Sequence, residues 1–393
     1  MKNQKSNRGV IRLGENKIRV LINYHGKKGS GPSYSLEWAK GLLECGCEVY
    51  AVVSKEVVNI EEWKKNINDD HLYLIDTHKD YSRKDLAMKT VKLYLKGKKE
   101  IQKKFGHVTF DFSFHTFYCH WANIVDSFLD IKKVVAICHD PIAHSGTKFY
   151  LQYLFKRHYK TADEIITLTK SFTDVIHKKF NIPISNIHYI PHGRMKMYNE
   201  YSKTMLNSLA YKEDNINFLF FGFIEHYKGL NILAKAYKEL ENKYENVTLT
   251  IAGNGDFKPY QEQFSKLKKF NLVNRYIRDD EVGALFAGPN IVVVLPYINA
   301  TQSGVIPVAY EFLTPIIASN TGGLKEQLDD GKIGLLFENG NYKDLMRKME
   351  VFINNKKIWK KQSDLMISFR NTLDWNVLAS DLLKLLGIRE LPV

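Results

Sequence analysis

The sequence predicts an α/β protein built from two Rossmann-like, doubly wound parallel-sheet domains that face each other across a cleft. Three observations predict it. The chain has 393 residues and 44% hydrophobic content, more than one ordinary core serves. Short β-branched runs alternate with helical patterns in both halves, which is the pattern of βαβ units. Glycine-rich stretches follow several of those runs, where open sheets expose their carboxyl edges.

Residues 1–16, "MKNQKSNRGVIRLGEN", are charged and lack an apolar segment, so they read as a basic tail and not as a secretory signal. The first domain, 17–194, opens with the strand run "KIRVLINY" and the turn-rich "HGKKGSGPS". A helical pattern through Leu36, Ala39, Leu42 and Leu43 follows, and then the strand "EVYAVVS". Further strands are expected at "VTFDFSF", "KVVAIC", "EIITLT" and "IHYI". The alternation pauses after "IPHG", which places the domain boundary there. The second domain, 195–374, repeats it with "NFLFFGF", "NILAKAYKELENKY", "VTLTIAG", "IVVVLPY", a helix through Glu311, "PIIAS" and "IGLLF". Residues 375–393 form a C-terminal helix with the option of crossing back to the first domain.

Composition excludes more than it assigns. No apolar run reaches transmembrane length. The four cysteines, Cys45, Cys47, Cys119 and Cys138, show neither a Cys-x-x-Cys pair nor zinc spacing, so they read as reduced thiols of a cytoplasmic protein. A net charge of +14 suits phosphorylated ligands or an anionic membrane. It does not cluster in a recognisable nucleic-acid module, so no nucleic-acid partner is expected. The basic amphipathic stretch "KTVKLYLKGKKEIQKKFG" is the candidate for peripheral contact with a membrane, against the plainer reading of a solvated lysine face.

Four places carry the chemistry. Gly29 and Gly31 follow the first strand and open a helix, where free N–H groups and the helix dipole favour an anion. The stretch is not G-x-G-x-x-G, so dinucleotide binding is disfavoured. In the second half, Gly222 and Lys228-Gly229 repeat the arrangement, and Lys228 places a point charge for a phosphate. Gly253 and Gly255 form a third loop after a strand. The fourth is "YINATQSGVIPVAYEF": Ser303, Gly304, Val305 and Ile306 offer backbone N–H groups to a diphosphate. Glu311 is expected to turn back to the same cleft and accept ribose hydroxyls. Each has a plainer reading: a surface turn, a solvated lysine or a Glu on an exposed helix face.

The stretches "FFGFIEHYKGLNIL", "TLTIAGNGDF", "DDEVGALFAGPNIVVVLPY", "QSGVIPVAYEFLTPIIASNTGGLKE" and "GKIGLLF" run in the order of a known family. The second half resembles retaining glycosyltransferases of the GT-B fold, family four (group 1 type), including enzymes of bacterial surface-polysaccharide assembly. The first half is similar through "GSG", "ICHD" and "IPHG". The resemblance implies a nucleotide-diphosphate sugar as co-substrate, no cofactor and no metal, and a glycan or lipid-linked acceptor. It also implies that His139 and Asp140 lie near the acceptor, with His139 and Lys228 catalytic. Two positions depart from the family. Ser303 stands where the first of two glutamates is usual, with seven residues between it and Glu311, and Phe223 stands where Arg is usual. A sugar-nucleotide epimerase on the same scaffold, or a non-catalytic nucleotide-sugar-binding partner subunit, are the competing readings.

Overall fold

The structure, a computed structural model, describes residues 17–77, 83–141, 149–209 and 211–388. The basic tail at 1–16 lies outside the described residues.

Among the described residues, nine strands lie in the first half: β1 (Arg19–Tyr24), β2 (Glu48–Ser54), β3 (Leu72–Ile75), β4 (Thr109–Phe110), β5 (Phe112–His115), β6 (Asp130–Ile131), β7 (Val134–Cys138), β8 (Glu164–Thr167) and β9 (Ile187–Tyr189). Seven of them form a parallel sheet in the order β3-β2-β1-β5-β7-β8-β9, while β4 and β6 pair separately. The run "VTFDFSF" is therefore two strands and not one. Asp111 breaks it, accepting the Arg19 backbone N–H at 2.9 Å.

The second half holds β10 (Ile216–Phe221), β11 (Val247–Ala252), β12 (Phe270–Val273), β13 (Ile291–Leu295), β14 (Ile316–Ser319) and β15 (Leu335–Phe337). They form a second parallel sheet, ordered β12-β11-β10-β13-β14-β15. Strand order reverses between β1 and β5 in one sheet and between β10 and β13 in the other. These are the switch points where open sheets leave a crevice at their carboxyl ends.

Both central strands are buried runs of branched residues, "RVLINY" and "IVVVL", as parallel strands covered on both faces must be. The helix Trp375–Leu385 packs with the first half: Trp375, Leu378, Ala379, Leu382 and Leu383 share a core with Trp38, Leu42 and Val49. Gly41 makes this docking close, since a Cβ there would lie 2.4 Å from the Trp375 carbonyl oxygen. Among the described residues no helix is long and apolar enough to cross a membrane.

Candidate active site

The loops after β10, β11 and β13 converge because glycine removes side chains where backbones nearly touch. Gly253 has φ +151°, and a Cβ on it would sit 1.8 Å from the Gly222 carbonyl oxygen. Gly255 is similar, with φ +158° and the Ile224 carbonyl oxygen 2.4 Å from the same point. Strand pairing thus continues past the sheet edge, with Gly222 N–H donating to Ala252 at 3.0 Å and Ile224 N–H to Asn254 at 2.9 Å.

Lys228 ends a short 3₁₀ turn, and Gly229 then caps the helix Leu230–Lys243 at φ +70°. The Lys228 ammonium lies 3.7 Å from the Tyr297 ring centroid and 5.0 Å from that of Tyr227. Burial works against its charge, but the phenol oxygens of Tyr297 and Tyr227 outweigh it and raise its pKa above the ordinary lysine value. Tyr297 in turn reaches Ser303, hydroxyl to hydroxyl, at 3.3 Å.

Ser303 is held by Gln327. The Ser303 N–H donates to Gln327 Oε1 at 2.7 Å, and Gln327 Nε2 donates to the Ser303 carbonyl at 3.1 Å. Gly304 caps the helix Val305–Glu311 and is exposed, with nothing within 4 Å of where a Cβ would be. Packing therefore does not require a glycine there. Val305 and Ile306 are buried within that helix's first turn. Phe223, in the place of the family's Arg, is 60% exposed.

The first sheet's carboxyl edge meets this cluster. His139 donates from Nε2 to the Thr116 carbonyl at 2.8 Å, which leaves Nδ1 to accept from Gln302 Nε2 at 3.4 Å. Its ring stacks on Phe117 with centroids 3.9 Å apart. Burial lowers its pKa, so the imidazole is neutral at neutral pH. Asp140 accepts a hydrogen bond from the Thr301 hydroxyl. Glu326 accepts the Lys170 and Ser171 backbone N–H groups from across the cleft at 2.5 and 3.2 Å. Gly29, at φ +84°, and Gly31 open the helix Gly31–Glu44 on this same edge. A Cβ on Gly31 would lie 2.4 Å from the Tyr24 hydroxyl.

Glu311 departs from its expected place. It ends its helix buried, with Oε2 accepting from Arg194 Nε at 2.8 Å and Oε1 from Arg194 Nη2 at 2.9 Å and Asn199 at 2.8 Å. Both oxygens are committed to the interdomain linker, so a ribose contact is not what this geometry supports. Sequence reading also passed over Thr301, Gln302, Glu326 and Gln327. Their signal was the pair Gly322-Gly323 in "NTGGLKE", which lets that loop lie against Ala300 and Thr301.

Two parallel α/β halves meeting at their carboxyl edges, with glycine loops and a lysine in the crevice, define the GT-B class. Residues 202–367 match the family model described as Glycosyl transferases group 1, and residues 32–194 match that described as Glycosyltransferase Family 4. The chain belongs to the group 1 glycosyltransferase family. An uncharacterised glycosyltransferase of Haemophilus influenzae is 28% identical over 210 residues, covering 52% of this chain and 55% of that protein. One from Methanocaldococcus jannaschii is 26% identical over 259 residues, covering 62% and 67%. The chain thus spans between about half and two thirds of the length of these relatives. A glycosyltransferase from Rickettsia africae shares the fold at a TM-score of 0.71 and 15% identity, covering 95% of this chain and 98% of that one. Anabaena HepE, solved with UDP and glucose, does so at 0.68 and 15%, covering 94% and 99%.

Proposed function

We propose that this chain is a retaining, metal-independent glycosyltransferase that moves a sugar, a hexose or a related one, from a nucleotide-diphosphate sugar to a glycan or lipid-linked acceptor. We place that work in surface-polysaccharide assembly at the cytoplasmic face of the plasma membrane. The observation that carries the reading is the convergence of Lys228, the Gly253 loop and the open Gly304 turn opposite His139; the N–H groups of Ser303, Val305 and Ile306 are already held by Gln327 and by Ser303 itself. A fold neighbour that binds UDP and UDP-glucose supports it.

In this reading the bond from the sugar's anomeric carbon to the diphosphate oxygen breaks while the acceptor oxygen bonds that carbon on the same face. The acceptor's proton passes to the departing phosphate oxygen, so no carboxylate pair is required. Lys228 meets the charge that grows on the diphosphate. His139, with its Nε2–H committed to Thr116, positions the sugar and the acceptor. Ser303 offers a hydroxyl where a carboxylate is usual, a weaker partner for a sugar hydroxyl.

A thermal-shift panel of nucleoside diphosphates and their sugars, run with a chelator present, tests the reading. One nucleoside diphosphate should raise the melting midpoint, since a ligand at 100 times its Kd adds about 2.7 kcal/mol to the folded state. Strict dependence of that shift on Mn²⁺ or Mg²⁺ rules out the metal-independent site, and no shift with any nucleotide rules out the reading.

A further inference from the structure

We propose that Gln302 sets the sugar specificity of the site: its Oε1 accepts a hydroxyl of the transferred sugar while its Nε2 stays on His139, an assignment that rests on the transferase reading above.

Gln302 has a fixed backbone on both sides. It lies in the loop after β13, between Thr301 and Ser303. Thr301 is tied to the first half: its hydroxyl donates to Asp140, and its carbonyl accepts the Thr169 hydroxyl at 3.2 Å. Ser303 is tied to the second half, since Gln327 accepts its N–H at 2.7 Å and donates to its carbonyl at 3.1 Å. A residue held through both neighbours presents its side chain already oriented, which is what positioning a substrate requires.

His139 dictates which way the amide faces. The imidazole gives its Nε2–H to the Thr116 carbonyl at 2.8 Å, so the neutral ring carries a bare lone pair on Nδ1. Only the amide nitrogen of Gln302 can face that lone pair, and it does so at 3.4 Å. The amide oxygen is thereby left over. Oε1 is buried and meets no donor among the described residues. Buried acceptors are nearly always paired, and one that is not calls for a reason. Ser303 is not an equivalent acceptor, because its hydroxyl already takes the Val305 N–H at 3.3 Å and lies 3.3 Å from the Tyr297 hydroxyl.

The place of this oxygen names its partner. Gln302 stands two residues before the open Gly304 turn on the diphosphate side, and its Nε2 touches His139 on the acceptor side. What lies between a diphosphate and an acceptor in this reaction is the transferred sugar. A sugar hydroxyl donates one hydrogen bond, which a lone carbonyl oxygen takes. The two halves touch directly around Gln302, through Thr301 with Asp140 and Thr169, and through Glu326 with the Lys170 and Ser171 N–H groups. A sugar enters as these contacts part, and its hydroxyl then reaches Oε1.

Calorimetry on the full chain compares UDP with UDP-glucose, ADP with ADP-glucose and GDP with GDP-mannose. Wild type is set against Gln302→Met, which keeps the length and loses both amide groups. The variant should bind the nucleoside diphosphate as wild type does, and its sugar conjugate about tenfold more weakly. Among the 2-, 3-, 4- and 6-deoxy sugars of the pair that binds, one should lose the same factor in wild type and nothing further in Gln302→Met. Gln302→Glu keeps an acceptor oxygen and should retain sugar binding. Its carboxylate beside Nδ1 should also raise the His139 pKa, read from the imidazole resonances by NMR, because a nearby negative charge favours the imidazolium. Equal losses for nucleoside diphosphate and sugar conjugate make Gln302 a structural residue and overturn the proposal. An unchanged sugar preference in Gln302→Met, no deoxy sugar with that pattern, or an unmoved His139 titration overturns it too. Each of these leaves the transferase reading standing. A wild type that binds no nucleotide at all removes that reading, and this assignment with it.

Discussion

Lys228 is the residue on which the proposed chemistry turns, and its surroundings explain how a cation is kept there. The faces of Tyr297 and Tyr227 replace part of the water that burial removes. Among the described residues its neighbours are these two phenols and not a carboxylate, so its charge is not spent on an ion pair before a ligand arrives. With Phe223 in the usual place of an Arg, Lys228 should carry most of the leaving-group stabilisation. Losing a charge-assisted hydrogen bond costs about 1.5–3 kcal/mol, roughly tenfold to a hundredfold in affinity. Lys228→Ala should therefore weaken binding of the diphosphate by that order and leave the bare nucleoside unchanged in calorimetry. Turnover should fall further. Wild-type diphosphate affinity in the mutant would place the leaving group elsewhere. The lysine was legible in the sequence because it precedes a glycine at a strand-to-helix junction. The aromatic clamp was not, since Tyr297 is distant in the chain and looks like any buried strand residue.

At the scale of elements, the central strands announced themselves, and so did the edge strands β9 and β15, as "IHYI" and "IGLLF". The other two edge strands, β3 and β12, did not: both inner residues of β3 are only partly buried and β12 buries none of its four fully, so neither stands out as an apolar run from its polar surroundings. The glycine loops were legible as loops, but their two kinds of glycine were not. Gly253 is required by the fold, because its φ and the Gly222 carbonyl leave no room for a Cβ. Gly304, at φ −67° with open space around it, is not. Gly253→Ala should thus cost about 2 kcal/mol or more in stability by forcing the β10 and β11 loops apart. Gly304→Ala should melt as wild type yet bind nucleoside diphosphate more weakly, because its methyl group enters the space a phosphate would use. Thermal melting and nucleotide titration of the two variants check this. Unchanged binding in Gly304→Ala would remove that backbone from the site.

At the scale of the whole molecule, the chain passes between its halves at two places, and Arg194 staples them. Its guanidinium holds Glu311 through two hydrogen bonds and Asp374 through a third, at 3.0 Å. Its backbone N–H donates to the Leu373 carbonyl at 3.0 Å, and its own carbonyl accepts the Trp375 indole N–H at 2.7 Å. The arrangement joins positions 117 and 180 residues apart, which is why the sequence offered only a lone carboxylate on an apolar helix. Burial alone would raise the Glu311 pKa, but hydrogen bonds from Arg194 and Asn199 outweigh it and hold the pKa below the ordinary value. A lowered carboxylate pKa means that the unfolded chain binds more protons as pH falls, so the pair stabilises the fold above the ordinary Glu pKa. That stability is lost as pH drops through the folded-state pKa. Glu311→Gln keeps the shape but not the charge, and should cost about 1.5–3 kcal/mol at neutral pH, seen as a lower melting midpoint. The gap to wild type should close as pH is lowered past the ordinary Glu range, because wild type then loses the same ion pair. Affinity for nucleoside diphosphate should not change, since both Glu311 oxygens already belong to the linker. A gap that stays constant with pH would show that packing, and not charge, is what the variant disturbs. A stable variant with weakened nucleotide binding would return Glu311 to the ribose.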